Sequence, residues 1–228
     1  MCGRFAQKLP SHLLLDLFKT APFRANVKPS WNVAPTDTVM VVHATADKTA
    51  REIELMKWGL VPSWSKTGKM EFPTINARSE TAATSAVFRN AFKSRRCVVP
   101  ADAFYEWQKL GAGAKPAKQP PKQPWAIARA DGQPLSLAGL WDGWKTPDGQ
   151  WLHSFTIMTT TPNETMATIH TRMPVILDLA DVPLWLGEVE GDHAGLLKPC
   201  PAAWLRMWKV SAAVGSVKNN DESLLEPI

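Results

Sequence analysis

The 228-residue sequence predicts a single α+β domain, β-rich, with mixed and mostly antiparallel sheets forming the core and short helices flanking it. Three features carry that expectation. Short β-branched or apolar runs recur along the chain, Gly, Pro, Asn and Asp clusters punctuate them, and helical periodicity is confined to brief stretches. No internal repeat is visible. At 45% hydrophobic and 21% charged residues the composition is that of an ordinary globular protein. No apolar run approaches the roughly 18 to 20 residues of a membrane helix, which excludes a helical membrane protein.

Ser11 is placed to cap a first helix with Leu13, Leu14, Leu17 and Phe18 on one face, and Pro22 stops it. Val39 to His43 and Glu52 to Trp58 read as strands around the polar turn Thr45 to Thr49. A loop follows from Trp58 to Thr74, marked by Pro62, Gly68 and Pro73. Ser79 to about Arg95 has helical spacing, with Ala83, Val87, Ala91 and Phe92 on one side, and Cys97 to Trp107 reads as one buried strand. Lys115 to Pro124, with four prolines and three lysines, is a solvated loop. Trp125 to Arg129 and Leu135 to Trp141, joined through Asp131-Gly132, predict a hairpin. A strand over Trp151 to Thr160 leads to a helix start at Thr161-Pro162-Asn163-Glu164, ending near His170. Arg172 to Leu177 and Trp208 to Val214 resume the strand pattern, with one more helix over Asp181 to Gly187.

The charge balance is +5 and the pI near 9.2, a modestly basic chain. Cys2, Cys97 and Cys200 form no Cys-x-x-Cys pair, so neither a zinc ribbon nor a disulfide framework is expected, and no metal site is read. The N-terminus lacks the basic-then-apolar layout of a secretory signal, which predicts a cytoplasmic protein. Removal of the start methionine would leave Cys2 with an α-amine beside its thiol, a mature chain of residues 2–228.

Glu106 closes the apolar run Val98 to Trp107 and shares a face with Phe104. Desolvation there would raise its pKa toward the acid/base range; the residues alone lean instead to a strand-end carboxylate in water or paired with an Arg. His170 and Arg172 straddle Thr171, and Asn76 and Arg78 straddle Ala77, so each pair points one way on an extended chain. The Arg of such a pair can hold a phosphate while its neighbour does chemistry, or the pair is an ordinary surface feature. Most of the 11 Trp belong in the core, while Trp64 and Trp107 could stack on unpaired bases.

Seven short motifs then occur in order: Met1-Cys2-Gly3-Arg4-Phe5, Trp31-Asn32-Val33-Ala34-Pro35-Thr36, Trp58-Gly59-Leu60-Val61-Pro62-Ser63-Trp64, Ile75-Asn76-Ala77-Arg78-Ser79-Glu80-Thr81, Phe104-Tyr105-Glu106-Trp107, His170-Thr171-Arg172-Met173-Pro174 and Val214-Gly215-Ser216-Val217-Lys218-Asn219. Together they resemble the SRAP, or SOS response-associated peptidase, family from residue 1 to about 225. The resemblance implies the SRAP fold, mixed and antiparallel sheets forming a barrel-like core with short flanking helices, with a basic groove for single-stranded DNA and an N-terminal Cys that crosslinks to an abasic site. It implies Cys2 as nucleophile, Asn76 orienting it, Glu106 as acid/base and His170 assisting proton transfer. Arg4, Arg78 and Arg172 would contact the DNA backbone, with Trp64 and Trp107 as stacking or wedge candidates. It further implies associated lyase and self-processing activity, no cofactor, a monomer, and a bacterial, nucleoid-associated setting. Trp31 stands where Tyr is usual, and the Lys115 to Pro124 loop is long and basic.

The chemistry stands without the family. A 1,2-aminothiol condenses twice with the open aldehyde of an abasic sugar, closing a thiazolidine, and only an N-terminal Cys offers both groups. Three readings remain: a covalent abasic-site sensor, an N-terminal-Cys amidohydrolase or peptidase, and a noncovalent single-strand binding module.

Overall fold

The structure, a computed structural model, describes residues 2–111 and 122–228. Its elements run β1 (Arg4–Gln7), α1 (Ser11–Phe18), β2 (Ser30–Val33), β3 (Thr38–Ala44), β4 (Arg51–Trp58), β5 (Asn76–Arg78), α2 (Arg89–Ser94), β6 (Arg96–Ala101) and β7 (Ala103–Lys109). They continue β8 (Lys122–Arg129), β9 (Leu135–Lys145), β10 (Trp151–Thr160), α3 (Glu164–Ala167), β11 (Met173–Pro174), β12 (Ile176–Leu177), α4 (Val182–Leu186) and β13 (Leu205–Lys209). One sheet has the order β13, β8, β7, β1, β2. In the other, β10, β4, β3, β6 and β9 follow one another and β9 pairs back with β10, closing a five-stranded barrel. The expected α+β class holds, with antiparallel pairing except where β10 runs parallel to β4 and β5.

Burial explains the arrangement. Val41, Trp58, Val99 and Phe155 from the barrel strands and Phe5, Phe104 and Ile127 from the open sheet form one core. Leu14, Phe18, Phe92 and Trp185 from the helices cover the outer barrel face in a second core with Met40, Val98 and Leu140. So small a barrel closes tightly: a Cβ on Gly139 would stand 2.9 Å from Cys97 Sγ and 3.0 Å from the Thr156 carbonyl. One barrel end carries a polar group in which the Glu54 carboxylate lies 3.2 Å from His43 Nε2 and bonds His153 Nδ1, with Trp141 packed against both rings.

Several expected elements differ. Cys97 to Trp107 is two strands in two sheets, because Asp102 breaks the ladder: its N–H donates to the Ala6 carbonyl (2.8 Å), and its carboxylate accepts from Lys8 N (2.6 Å) and Leu9 N (3.2 Å). The Asp131-Gly132 turn makes no hairpin, since β8 pairs with β7 and β13 while β9 belongs to the barrel. Only Arg89–Ser94 of the expected 79–95 helix is α-helical; before it, single turns such as Ala82 N to Arg78 O are anchored by Ser79 N on the Thr159 carbonyl.

Cap positions also shift. Pro10, not Ser11, precedes α1, and Asn163, not Thr161, caps α3 by accepting from Met166 N at 2.9 Å. Arg172 to Leu177 splits at Val175, whose N–H bonds Met158 O and whose carbonyl bonds Ala138 N, as the chain changes partner from β10 to β9. The last strand starts earlier, at Leu205, and gives way to a 3₁₀ turn over Ala212–Gly215. Most of the Lys115 to Pro124 loop lies outside the described residues, but Lys122 to Pro124 are strand. Pro124 fits there because it serves as an acceptor, its carbonyl taking Val210 N at 3.1 Å.

Candidate active site

Antiparallel pairing of β1 with β7 matches Arg4 to Tyr105 and Phe5 to Phe104, which places Cys2, just before β1, near the end of β7 that carries Glu106. On the other side β5 runs parallel to β10, with Asn76 opposite Ile157. The Asn76 Nδ2 amide donates to the Cys2 carbonyl at 2.8 Å, fixing the backbone of the cysteine. Its Oδ1 is buried and accepts no hydrogen bond among the described residues.

Cys2 is fully buried, its thiol lying 3.8 Å from the Arg4 carbonyl. Burial, then the charge of Glu106, pushes its pKa up, so the resting sulfur is a neutral thiol. Glu106 is 2% exposed. Burial raises its pKa too, against the opposing pull of the His170 charge, and the His170 Nε2 to Glu106 Oε2 separation is 3.8 Å. The strand-end carboxylate in water is therefore excluded. His170 Nδ1 lies 3.1 Å from Arg172 N and 3.0 Å from Arg172 O. A bare Nδ1 accepts from that N–H and a protonated one donates to that carbonyl, so one ring orientation serves both protonation states.

Glu106 and His170 line a cleft of about 600 Å³ together with Trp107, Lys109, Lys122 and Gly215. Gln108 joins its two sides, donating to the Thr168 carbonyl (3.0 Å) and accepting from Trp125 Nε1 (3.1 Å). Sequence reasoning missed Gln108, Lys109 and Lys122, whose only signal was their place directly after Glu106-Trp107 or on a strand read as loop.

The expected DNA contacts fare unequally. Arg78 is exposed on β5, opposite Thr159. Trp107 is half-buried and lines the cleft. Trp64 is 52% exposed in the loop after β4 but does not line that cleft. Arg4 turns inward, donating to Asn32 Oδ1 (3.0 Å) and the carbonyls of Val214 (3.1 Å) and Gly215 (3.4 Å). Asn32, buried, donates to the carbonyls of Val214 (3.3 Å), Ser216 (2.9 Å) and Asn219 (2.8 Å), so this pair straps the C-terminal segment to β1 and β2. Arg172 bonds both carboxylate oxygens of Glu80, at 2.5 and 3.0 Å.

Cys2, Cys97 and Cys200 are free thiols, and no group of His, Cys, Asp or Glu among the described residues is arranged to hold a metal ion. No helix among them is long and apolar enough to cross a membrane.

By its architecture this is a β-rich α+β protein that gathers a buried cysteine, a carboxamide, a buried carboxyl and an imidazole into one candidate site. The SOS response associated peptidase (SRAP) model matches residues 1–217, and the chain belongs to that family. It is 36% identical to abasic site processing protein YoqW of Bacillus subtilis, covering 99% of both chains. Abasic site processing protein YedK of Escherichia coli is 32% identical over 100% of both, and HMCES of Gallus gallus is 36% identical over 88% of this chain and 67% of its own. A solved protein of Bacteroides thetaiotaomicron shares the fold over 100% of both chains (TM-score 0.84, 22% identity). Another, from Bordetella bronchiseptica, matches at TM-score 0.76 and 28% identity over 92% of this chain and 100% of that one.

Proposed function

We propose that this protein processes abasic sites in single-stranded DNA by forming a covalent thiazolidine through an N-terminal Cys2, with lyase and self-processing activity at the same site. The observation that carries this reading is the Asn76 hydrogen bond to the Cys2 carbonyl, which holds the backbone of residue 2 near the buried Glu106, itself 3.8 Å from the half-buried His170. The names of YoqW, YedK and HMCES support the lesion as substrate.

The steps follow from the groups present. Glu106, whose pKa burial raises toward the acid/base range, passes a proton to the sugar ring oxygen as the ring opens and the C1 hydroxyl gives up its own proton, leaving the aldehyde. The α-amine of Cys2 adds to the aldehyde carbon and water leaves, giving an imine. The thiol then adds to the imine carbon, its proton passing to the imine nitrogen by way of Glu106 or His170. Protein plus aldehyde thus lose one water in total. Because burial keeps the thiol neutral, the amine reacts first and sulfur closes the ring. Arg78 and Arg172 contact phosphates on either side of the lesion, Trp107 stacks at the cleft, Trp64 meets the strand further out, and Arg4 acts by holding the groove wall. The protein works as a cytoplasmic monomer without a cofactor.

Incubation with an abasic oligonucleotide, read on a denaturing gel and by mass spectrometry, tests this. A stable adduct at residue 2, short of one water, is expected for the wild type. It should be absent for Cys2→Ala and for a protein retaining an uncleaved N-terminal extension. Peptide cleavage without a stable DNA band would favour the amidohydrolase, and an adduct mapped to a lysine would defeat the mechanism.

A further inference from the structure

Arg172 follows His170 closely in the chain, yet its guanidinium is not open to a ligand arriving from solution. Its end-on fork is filled by Glu80, with Nη1 on Oε1 and Nη2 on Oε2, and Nη2 also donates to the Thr159 carbonyl at 2.7 Å. Nε is buried and bonds nothing among the described residues. A carboxylate and a phosphate take the same planar fork by the same paired hydrogen bonds, so one excludes the other.

We propose that Glu80 is a built-in competitor for the phosphate site of Arg172, closing the fork in the free protein and leaving when a DNA phosphate takes its place. This rests on the reading of the site as a single-strand binder. The geometry decides which partner moves. The Arg172 side chain is only 17% exposed and is tied to β10 through Thr159, whereas Glu80 is 48% exposed on the turn that follows β5. Glu80 can swing into solvent while the guanidinium stays in place. Mild acid leaves the fork closed, because the hydrogen bonds from Arg172 hold the Glu80 pKa down to about 2.

The consequence is selective weakness. Arg78 and Arg172 meet at the same level of β10, opposite or bonded to Thr159. With Glu80 in place they present one open cation, not two. Intact DNA is then held loosely enough to leave, while a lesion is retained by its covalent bond.

Fluorescence anisotropy with an undamaged single-stranded oligonucleotide, titrated over a salt series, tests the proposal on the full chain. Glu80→Ala and the nearly isosteric Glu80→Gln should bind about 2- to 10-fold tighter than wild type, the range expected for releasing a partly exposed ion pair. The salt slope should steepen by up to about 0.7, one additional phosphate contact on a single strand. In an Arg172→Ala background the gain should vanish. Equal or weaker binding by a folded Glu80→Gln, with wild type binding and Arg172→Ala weakened, would overturn the competitor while leaving the single-strand reading intact. So would a gain that survives in the Arg172→Ala background, since it would reflect net charge alone. No binding by any variant, wild type included, would instead remove the single-strand reading.

Discussion

Replacing Glu106 by Gln separates two accounts of the site that predict opposite outcomes. The substitution keeps the size of a side chain that is 2% exposed, but removes its exchangeable acid proton and its charge. If Glu106 moves protons during ring opening and imine formation, crosslinking should slow by about 10²- to 10⁴-fold, a barrier increase of about 2.7–5.5 kcal/mol. If ionisation of the thiol limits the rate, the same change should accelerate it, because the Glu106 charge is one cause of the raised Cys2 pKa. Stability supplies an independent check. A carboxyl whose pKa is higher folded than unfolded favours folding while protonated, and that advantage is lost as pH rises through the folded value. The amide escapes the cost of a buried charge, so Glu106→Gln should melt no lower than wild type above that value. Single-turnover crosslinking rates and thermal melts over a common pH series measure both. A slow but undiminished fold, with the carboxyl-linked limb of the pH profile gone, is the expected result. An unchanged rate and profile would make Glu106 structural and refute the reasoning.

Three further outcomes are expected. Asn76→Ala removes the donor to Cys2 O along with a buried unpartnered oxygen, so crosslinking should fall by about tenfold or more in single-turnover assays with a melting temperature close to wild type. Gly139→Ala pushes a methyl against Cys97 Sγ and the Thr156 carbonyl and should cost about 1–3 kcal/mol in denaturant unfolding. Burial raises the Glu54 pKa, but the hydrogen bonds from His43 and His153 outweigh it and leave the value lowered; Glu54 therefore contributes stability above its unfolded pKa that is lost as pH falls through the folded one. Glu54→Gln should consequently flatten the acid limb of stability against pH measured by chemical denaturation.

The residues that come together in the candidate site were more legible in the sequence than the sheets that carry them. Strands with a clear hydrophobic run, such as β3, β4 and β10, lie close to where their residues place them. Strands β1, β2 and β5 are three or four residues long, too short for periodicity to register, and they are fixed only by their neighbours in the sheet. Asp131-Gly132 carries a hairpin signature, yet a turn signal says only that the chain reverses, not which sheet receives the next strand. Asp102 sits within an apolar run and reads as an ordinary strand residue, because its partners, Ala6, Lys8 and Leu9, are nearly a hundred positions away. Cys2, Asn76, Glu106 and His170 could be named from motifs, whereas the engagement of Arg4 with Asn32 and of Arg172 with Glu80 depends on contacts that only the folded chain creates.

The Asp102 corner has a bearing on which insertions and deletions this protein can survive. It ties the end of β1 to the start of β7, four positions before Glu106, so the chain length between corner and carboxyl determines which face the carboxyl occupies. One residue added or lost between Asp102 and Glu106 would turn every later side chain of β7 over, sending Glu106 to the face of Tyr105 and away from Cys2. Length change beyond Lys109, between β7 and β8, leaves that count untouched. Sequence drift in length should therefore be tolerated between those two strands and lethal to the reaction within the four positions that follow the corner.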